Sequence, residues 1–256
     1  MLQVLLENVQ ATLTSHFAGM YLDGSLASGD FDQDSDIDFV VATDEDVSGD
    51  GDLFRALQAM HDRIAAMDSV WAIQLEGSYI SRHALRRYDP AHALHPNIER
   101  GKGERLKMVE HDDWWTIHRY ILRERGIPLV GPAPQTLIDP VLPDDLRQAV
   151  RGILRGWATH ILDDPARLAS RGYQSYTVLS LCRILYTLQY GTVVSKRVAA
   201  RWVQETVGER WAPLIGRAWV GRHNPQLPVE SVDVNATLDF IHFTLDRSGH
   251  VETPRV

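Results

Sequence analysis

The chain has a single cysteine, Cys182, so no disulfide can form within it, which suits a reducing compartment such as the cytosol. It has no run of about 18 apolar residues, so no membrane span is expected. Basic residues are the minority. With 26 Lys and Arg against 34 Asp and Glu, the net charge is −8. A nucleic-acid backbone is therefore not expected as a partner, whereas a cationic ligand would be electrostatically welcome. The first stretch, "MLQVLLENVQATLTSHF", lacks a basic leader and a small-residue cleavage site. Its polar residues at helical spacing predict a first helix rather than a signal peptide, and the expected location is cytoplasmic. Internal repeats and low-complexity segments are also missing.

What is present is an ordinary globular composition, 44% hydrophobic and 23% charged over 256 residues, enough for one large domain or two modest ones. The first half mixes element types. "AGMYLDG" and "DIDFVVAT" read as strands, and "GDLFRALQAMHDRIAAM" carries apolar residues at helical period. "SVWAIQLEGSYI" alternates as a strand does, with Trp71, Ile73 and Leu75 on one face and Ala72, Gln74 and Glu76 on the other. "HDDWWTIHRYILRERG" predicts a helix with aspartates in its first turn and Gly126 just past its end. Five prolines between Pro128 and Pro143 predict a linker. Beyond it, four segments read as helices: "DDLRQAVRGILRGWATHIL", "SYTVLSLCRILYTLQYG", "SKRVAARWVQETVG" and "VNATLDFIHFTLDR".

The chemistry concentrates in "LDGSLASGDFDQDSDIDFVV", with aspartates at 30, 32, 34, 36 and 38. A calcium loop starting at Asp34 would end correctly on Glu45, but it would place Phe39 where the sharp turn needs glycine. A different arrangement fits better. Gly24 and Ser25 follow a short strand and open a turn whose N–H groups and hydroxyl can hold phosphate. Ten residues later comes Asp36, with Asp38 at i+2. On a strand those two carboxylates project to one side. Their repulsion in a half-buried site calls for a cation, and an oxygen-only pair suits Mg²⁺, which completes its shell with waters and substrate phosphates. Glu76 lies on a later strand and could accept a proton from an attacking hydroxyl or serve as a further metal ligand. Asp30, Asp32 and Asp34 fall in the connection before the strand, where solvation is expected.

"GSLASGDFDQDSDID" resembles the motif of the DNA-polymerase-β-like nucleotidyltransferases. "YTVLSLCRILYTLQYGTVVSKRVAARW" is similar to the helical domain of the aminoglycoside adenylyltransferases that modify streptomycin and spectinomycin. The resemblance implies an α+β (mixed α/β) nucleotidyltransferase domain with a small mixed sheet over residues 1–140. An all-α helical-bundle domain would follow over residues 141–256, with the active site in the cleft between the two. It implies AMP transfer from ATP to a hydroxyl of a small molecule, with Mg²⁺ as cofactor and pyrophosphate released. Carried over residue by residue, Gly24, Ser25 and Ser35 match the nucleotide-binding motif. Asp36 and Asp38 match the metal ligands, and Glu76 matches the catalytic base and a possible third ligand. Arg183 and Lys196 match phosphate-contacting residues of the helical domain.

The chain departs from that pattern at the acceptor side. The loop "HPNIERGKGERLKMVEHDD" lacks the family's tryptophan and instead carries Arg100, Lys102, Arg105 and Lys107. Tyr173 stands where relatives have an acidic residue. Two other readings therefore remain: AMP transfer to a different acceptor, and a nucleotide-binding module without turnover. His92 and His95 make no zinc pattern with the lone cysteine. Cys182, between Leu181 and Ile184, reads as a small core residue.

Overall fold

A computed structural model describes residues 1–250. The chain divides into two compact units, Met1–Val141 and the residues from Leu142 onward. Among the described residues, no helix is long and apolar enough to cross a membrane.

The first unit is built on a six-stranded sheet in the order β5-β4-β3-β2-β1-β6. Its strands are β1 (Phe17–Leu22), β2 (Ile37–Thr43), β3 (Leu75–Ser81), β4 (Leu94–Ile98), β5 (Lys107–Glu110) and β6 (Ile127–Val130). Only β2 and β3 run parallel. A parallel pair needs a long crossover, and helix α3 (Asp52–Ala65) lies within it.

The central strands read as continuous apolar runs because both faces of the sheet are covered. Met20, Phe39, Val41 and Tyr79 point to one layer, with Leu5, Val9 and Leu13 of α1 (Leu2–Leu13) and Leu57, Met60 and Ile64 of α3. Their neighbours Tyr21, Val40, Ala42 and Ile80 point to the other. There they meet Leu85 of α4 (Arg82–Arg86), Trp115 and Leu122 of α5 (Asp113–Arg125), and Ile138, just past α6 (Pro134–Leu137).

Several local expectations are corrected. Residues 70–73 form a 3-10 turn rather than the start of a strand, because the Ser69 hydroxyl accepts the Trp71 N–H and caps the turn. The basic segment after residue 93 is the β4–β5 hairpin, with Arg100, Lys102 and Arg105 in its connecting loop and Lys107 opening β5. The first part of the proline-rich stretch is strand β6, paired to β1 at the sheet edge, a place where Pro128 is tolerated because an edge strand can forgo one N–H.

The second unit is helical: α7 (Pro143–Asp163), α8 (Arg171–Tyr190), α9 (Lys196–Thr206), α10 (Ala212–His223) and α11 (Ser231–His250). Helix α8 packs against the other four, so it is buried nearly all round, its polar residues included. Cys182 is fully buried on it. It ends at Gly191, whose left-handed φ of 63° allows its N–H to reach the Thr187 carbonyl at 2.8 Å. A buried polar network ties α8 to α10 and α11. Arg171 and Arg217 both pair with the buried Asp233, at 2.9 and 2.6 Å, and Gln174 donates to Thr237 at 3.0 Å.

Candidate active site

Three carboxylates converge at one end of the parallel strand pair. In the β2–β3 ladder Asp38 stands directly opposite Glu76. By strand alternation both share the face of Val40, Ala42 and Ile80, which is the α5 side of the sheet. Asp23, the residue after β1, reaches the same place, and its N–H donates to the Asp38 carbonyl at 3.0 Å. Asp36 precedes β2 instead of lying within it. It still bears on the site electrostatically, adding to the repulsion felt by Asp38 and Glu76.

Burial and this crowding both disfavour the ionised carboxylates. Burial, followed by the charges of Asp36, Asp23 and Glu76, pushes the Asp38 carboxyl up to about 7. Burial and then Asp36 raise Glu76, while Arg100 and His118 partly oppose the shift. Such a set of acids is stable in ionised form only beside positive charge.

The protein supplies some of that charge. Arg100, in the β4–β5 turn, lies 3.5 Å from Asp36. His118 on α5 places Nδ1 2.9 Å from Asp23, a carboxylate only 2% exposed. The other oxygen of Asp23, Oδ1, is buried with no hydrogen-bond partner. An orphaned buried carboxylate oxygen beside mutually repelling carboxylates offers the hard oxygen donors that a divalent cation of the Mg²⁺ type takes.

The turn after β1 is shaped around Asp38. Helix α2 (Gly24–Ser28) begins at Gly24, where φ is +58°. A Cβ there would sit 1.8 Å from Asp38 Oδ2, so only glycine brings the backbone this close. The Ser25 hydroxyl is buried and has no partner. Ser35 behaves differently: its hydroxyl accepts from the Asp32 N–H and donates to the Asp32 carboxylate, each at 3.0 Å. Asp32 thus anchors the turn before β2, where solvation alone was expected.

The remaining sequence-derived residues lie on the second unit. Arg183 is half-buried on α8. Lys196 opens α9, after the capping Ser195, and its ammonium stands 5.1 Å from the centre of the Tyr176 ring. Tyr176 stacks with Tyr173, whose other neighbours are Arg167, 4.3 Å from the ring centre, and the Trp157 N–H, which donates to its hydroxyl.

Two family models match the chain. Residues 6–86 match the nucleotidyltransferase domain, and residues 136–245 match the C-terminal domain of aminoglycoside adenylyltransferase. An aminoglycoside (3'') (9) adenylyltransferase of Escherichia coli is 32% identical over 124 residues, which is 47% of this chain and 43% of that protein. A Campylobacter jejuni spectinomycin 9-adenylyltransferase is 24% identical over 82% of this chain and 79% of its own length. The fold is similar to that of spectinomycin adenyltransferase from Enterococcus faecialis, solved with ATP and spectinomycin. That match has a TM-score of 0.72 and 17% identity, over 97% of this chain and 98% of the other.

The sequence pointed to Gly24, Ser25, Asp36, Asp38 and Glu76. Asp23 and His118 were missed. Asp23 stood beside the Gly-Ser turn, but its burial depends on a helix some 95 residues further on. Arg100 was visible as a basic residue without a destination.

Proposed function

We propose that the chain transfers AMP from ATP to a hydroxyl of a small molecule of the aminoglycoside or spectinomycin kind, releasing pyrophosphate. The observation that carries this reading is the ladder pair Asp38–Glu76, set against the Gly24 backbone. The proposed metal ligand and the proposed proton acceptor are thus neighbours across the ladder, beside the turn at Gly24. The family matches and the names of the relatives support it.

In this reading Asp36 and Asp38 hold Mg²⁺, with Glu76 within reach as a further ligand. The ion would orient the phosphates and offset charge on the attacking and leaving oxygens. The Ser25 hydroxyl and the turn at Gly24 meet the nucleotide phosphates. Glu76 takes the proton of the acceptor hydroxyl as its oxygen attacks the α-phosphorus. The bond to the β-phosphate bridging oxygen breaks and pyrophosphate leaves. A raised Glu76 carboxyl suits that task, because a base works best with a proton affinity near the working pH. The phosphate-contacting roles of Arg183 and Lys196 rest on the resemblance of the helical segment alone.

A second reading, the same transfer to an acceptor that is not a polycation, is favoured by one observation. Tyr173 and Tyr176 already carry Arg167 and Lys196 against their rings, so this patch offers a cationic drug little extra attraction. A nucleotide-binding module without turnover would not need Glu76.

Pyrophosphate release from Mg-ATP, screened against aminoglycosides, spectinomycin and neutral hydroxyl compounds, tests the proposal. Release dependent on one of the cationic drugs supports the first reading. Release only with a neutral acceptor supports the second. ATP binding without release under any acceptor would establish the module. Glu76→Gln is expected to keep ATP binding and lose transfer by at least a hundredfold, in the range of positioned general bases.

A further inference from the structure

At the far end of the same two parallel strands, a second set of metal-binding side chains comes together. β2 starts beside Asp38 and finishes at Thr43, and β3 starts beside Glu76 and finishes at Ser81. At about 3.3 Å per residue, the strands carry the chain roughly 17 Å from the carboxylate site. Just past those ends stand Asp46, His83, Asp89 and His92. His83, Asp89 and His92 each offer a ligand atom, and the three atoms lie within 4.8 Å of one another.

Each side chain is held in place by local structure. Asp89 caps the 3-10 turn Pro90–His92: its Oδ1 accepts the Ala91 N–H at 2.9 Å. Its other oxygen, Oδ2, is then presented to His83 Nε2, 3.7 Å away. The His83 and His92 rings pack with centroids 4.7 Å apart. His92 Nδ1 is bonded to the Asp46 carboxylate. The loop bearing Asp46 is in turn tied to α4 through the Asp44–Arg82 pair.

We infer that His83, His92 and Asp89 form a binding site for a divalent transition cation of the zinc type, with Asp46 as the carboxylate that orients His92. Two imidazoles with one carboxylate form a ligand set that suits zinc and is poorly matched to Mg²⁺. A ligating histidine gives its other ring N–H to a carboxylate in most metal sites, and the Asp46–His92 bond is that arrangement. A tetrahedral zinc with bonds of about 2.0–2.1 Å holds its ligand atoms roughly 3.3 Å apart. Small side-chain rotations would bring the observed spacing there, with a water in the fourth position. Occupancy would brace the β2–α3 connection against the segment between α4 and β4, without contact with the carboxylates at the other strand ends.

The test is a zinc titration by calorimetry on the full chain without a polyhistidine tag, in millimolar Mg²⁺ so that hard-ligand sites are filled. One zinc equivalent is expected. His83→Ala and His92→Ala should each weaken binding at least tenfold, and Asp46→Asn by about tenfold. Asp38→Asn should leave zinc affinity within twofold. The melting temperature should rise with zinc in the parent and not in His92→Ala. His83 is exposed, so its replacement leaves the fold intact, and circular dichroism of each variant verifies this. No binding at all, binding that survives either histidine substitution, or binding abolished by Asp38→Asn would each overturn the inference.

Discussion

His118 Nδ1 lies 2.9 Å from the carboxylate of Asp23, joining a residue of α5 to the turn that follows β1. Asp23 is 2% exposed and its other oxygen has no partner. His118→Ala therefore leaves a buried carboxylate with no side-chain partner. The expected loss is about 1–3 kcal/mol at pH 7, the usual penalty for an unsatisfied buried group. Urea denaturation checks it. In a double-mutant cycle with Asp23→Ala the two losses should be less than additive. Full additivity would mean that the pair carries no coupling.

Asp38 makes stability depend on both pH and Mg²⁺. Its carboxyl is raised to about 7 in the fold, against roughly 3.9 in an unfolded chain. Between those values the folded state binds more protons. The contribution is fully present below about pH 4 and is lost as pH rises through 7. A bound divalent cation removes the repulsion. Added Mg²⁺ should thus raise the melting temperature more at pH 7.5 than at pH 5, and Asp38→Asn should abolish the difference. Equal shifts at both pH values would show that the ion does not bind at Asp38.

Three buried histidines push the other way. Burial lowers His61 to about 4, His95 to about 3 and His111 to about 4, with neighbouring positive groups adding to the last two. The fold keeps them neutral, and His61 Nε2 pairs with the Tyr79 hydroxyl at 2.8 Å. Unfolded histidines take up protons below about 6.5. Their contribution is thus complete above that value and is lost as pH falls through 4 toward 3. In an Asp38→Asn background, which removes the opposing effect, stability should fall between pH 7 and 5 by on the order of 1–2 kcal/mol per histidine. Urea midpoints measure this, and His95→Phe should flatten the slope.

Gly24→Ala is the sharpest test of the site's geometry. The new methyl would lie 1.8 Å from Asp38 Oδ2, at a φ of +58°. Strained backbone alone costs of order 1–3 kcal/mol, and the clash displaces Asp38. Thermal stability should drop and the Mg²⁺-dependent shift should vanish. Gly29→Ala also falls at positive φ but meets nothing within 4 Å, so it should lose stability and keep the Mg²⁺ response.

Motif spacing made Asp38, Glu76 and the Gly24-Ser25 turn legible, because strand periodicity converts sequence distance into a shared face. Asp23, His118 and Arg100 were not legible in the same way. Their roles arise from tertiary approach, through α5 and the β4–β5 turn. Residues 70–73 misled because alternation alone does not distinguish a strand from a 3-10 turn with a serine cap. β6 was hidden by Pro128, which an edge position accommodates. The helical unit read well wherever helices had an apolar period. α10 escaped notice because its apolar residues follow no clean stripe.

The Asp38–Glu76 pairing also says where this chain can change length. Residues between β2 and β3 can be gained or lost around α3 with the ladder intact. One residue inserted inside β3 ahead of Glu76 would turn that carboxylate into the α1–α3 layer, near Phe39 and Met60. Lineages of this protein should therefore tolerate indels in the crossover and purge them from two stretches of seven residues.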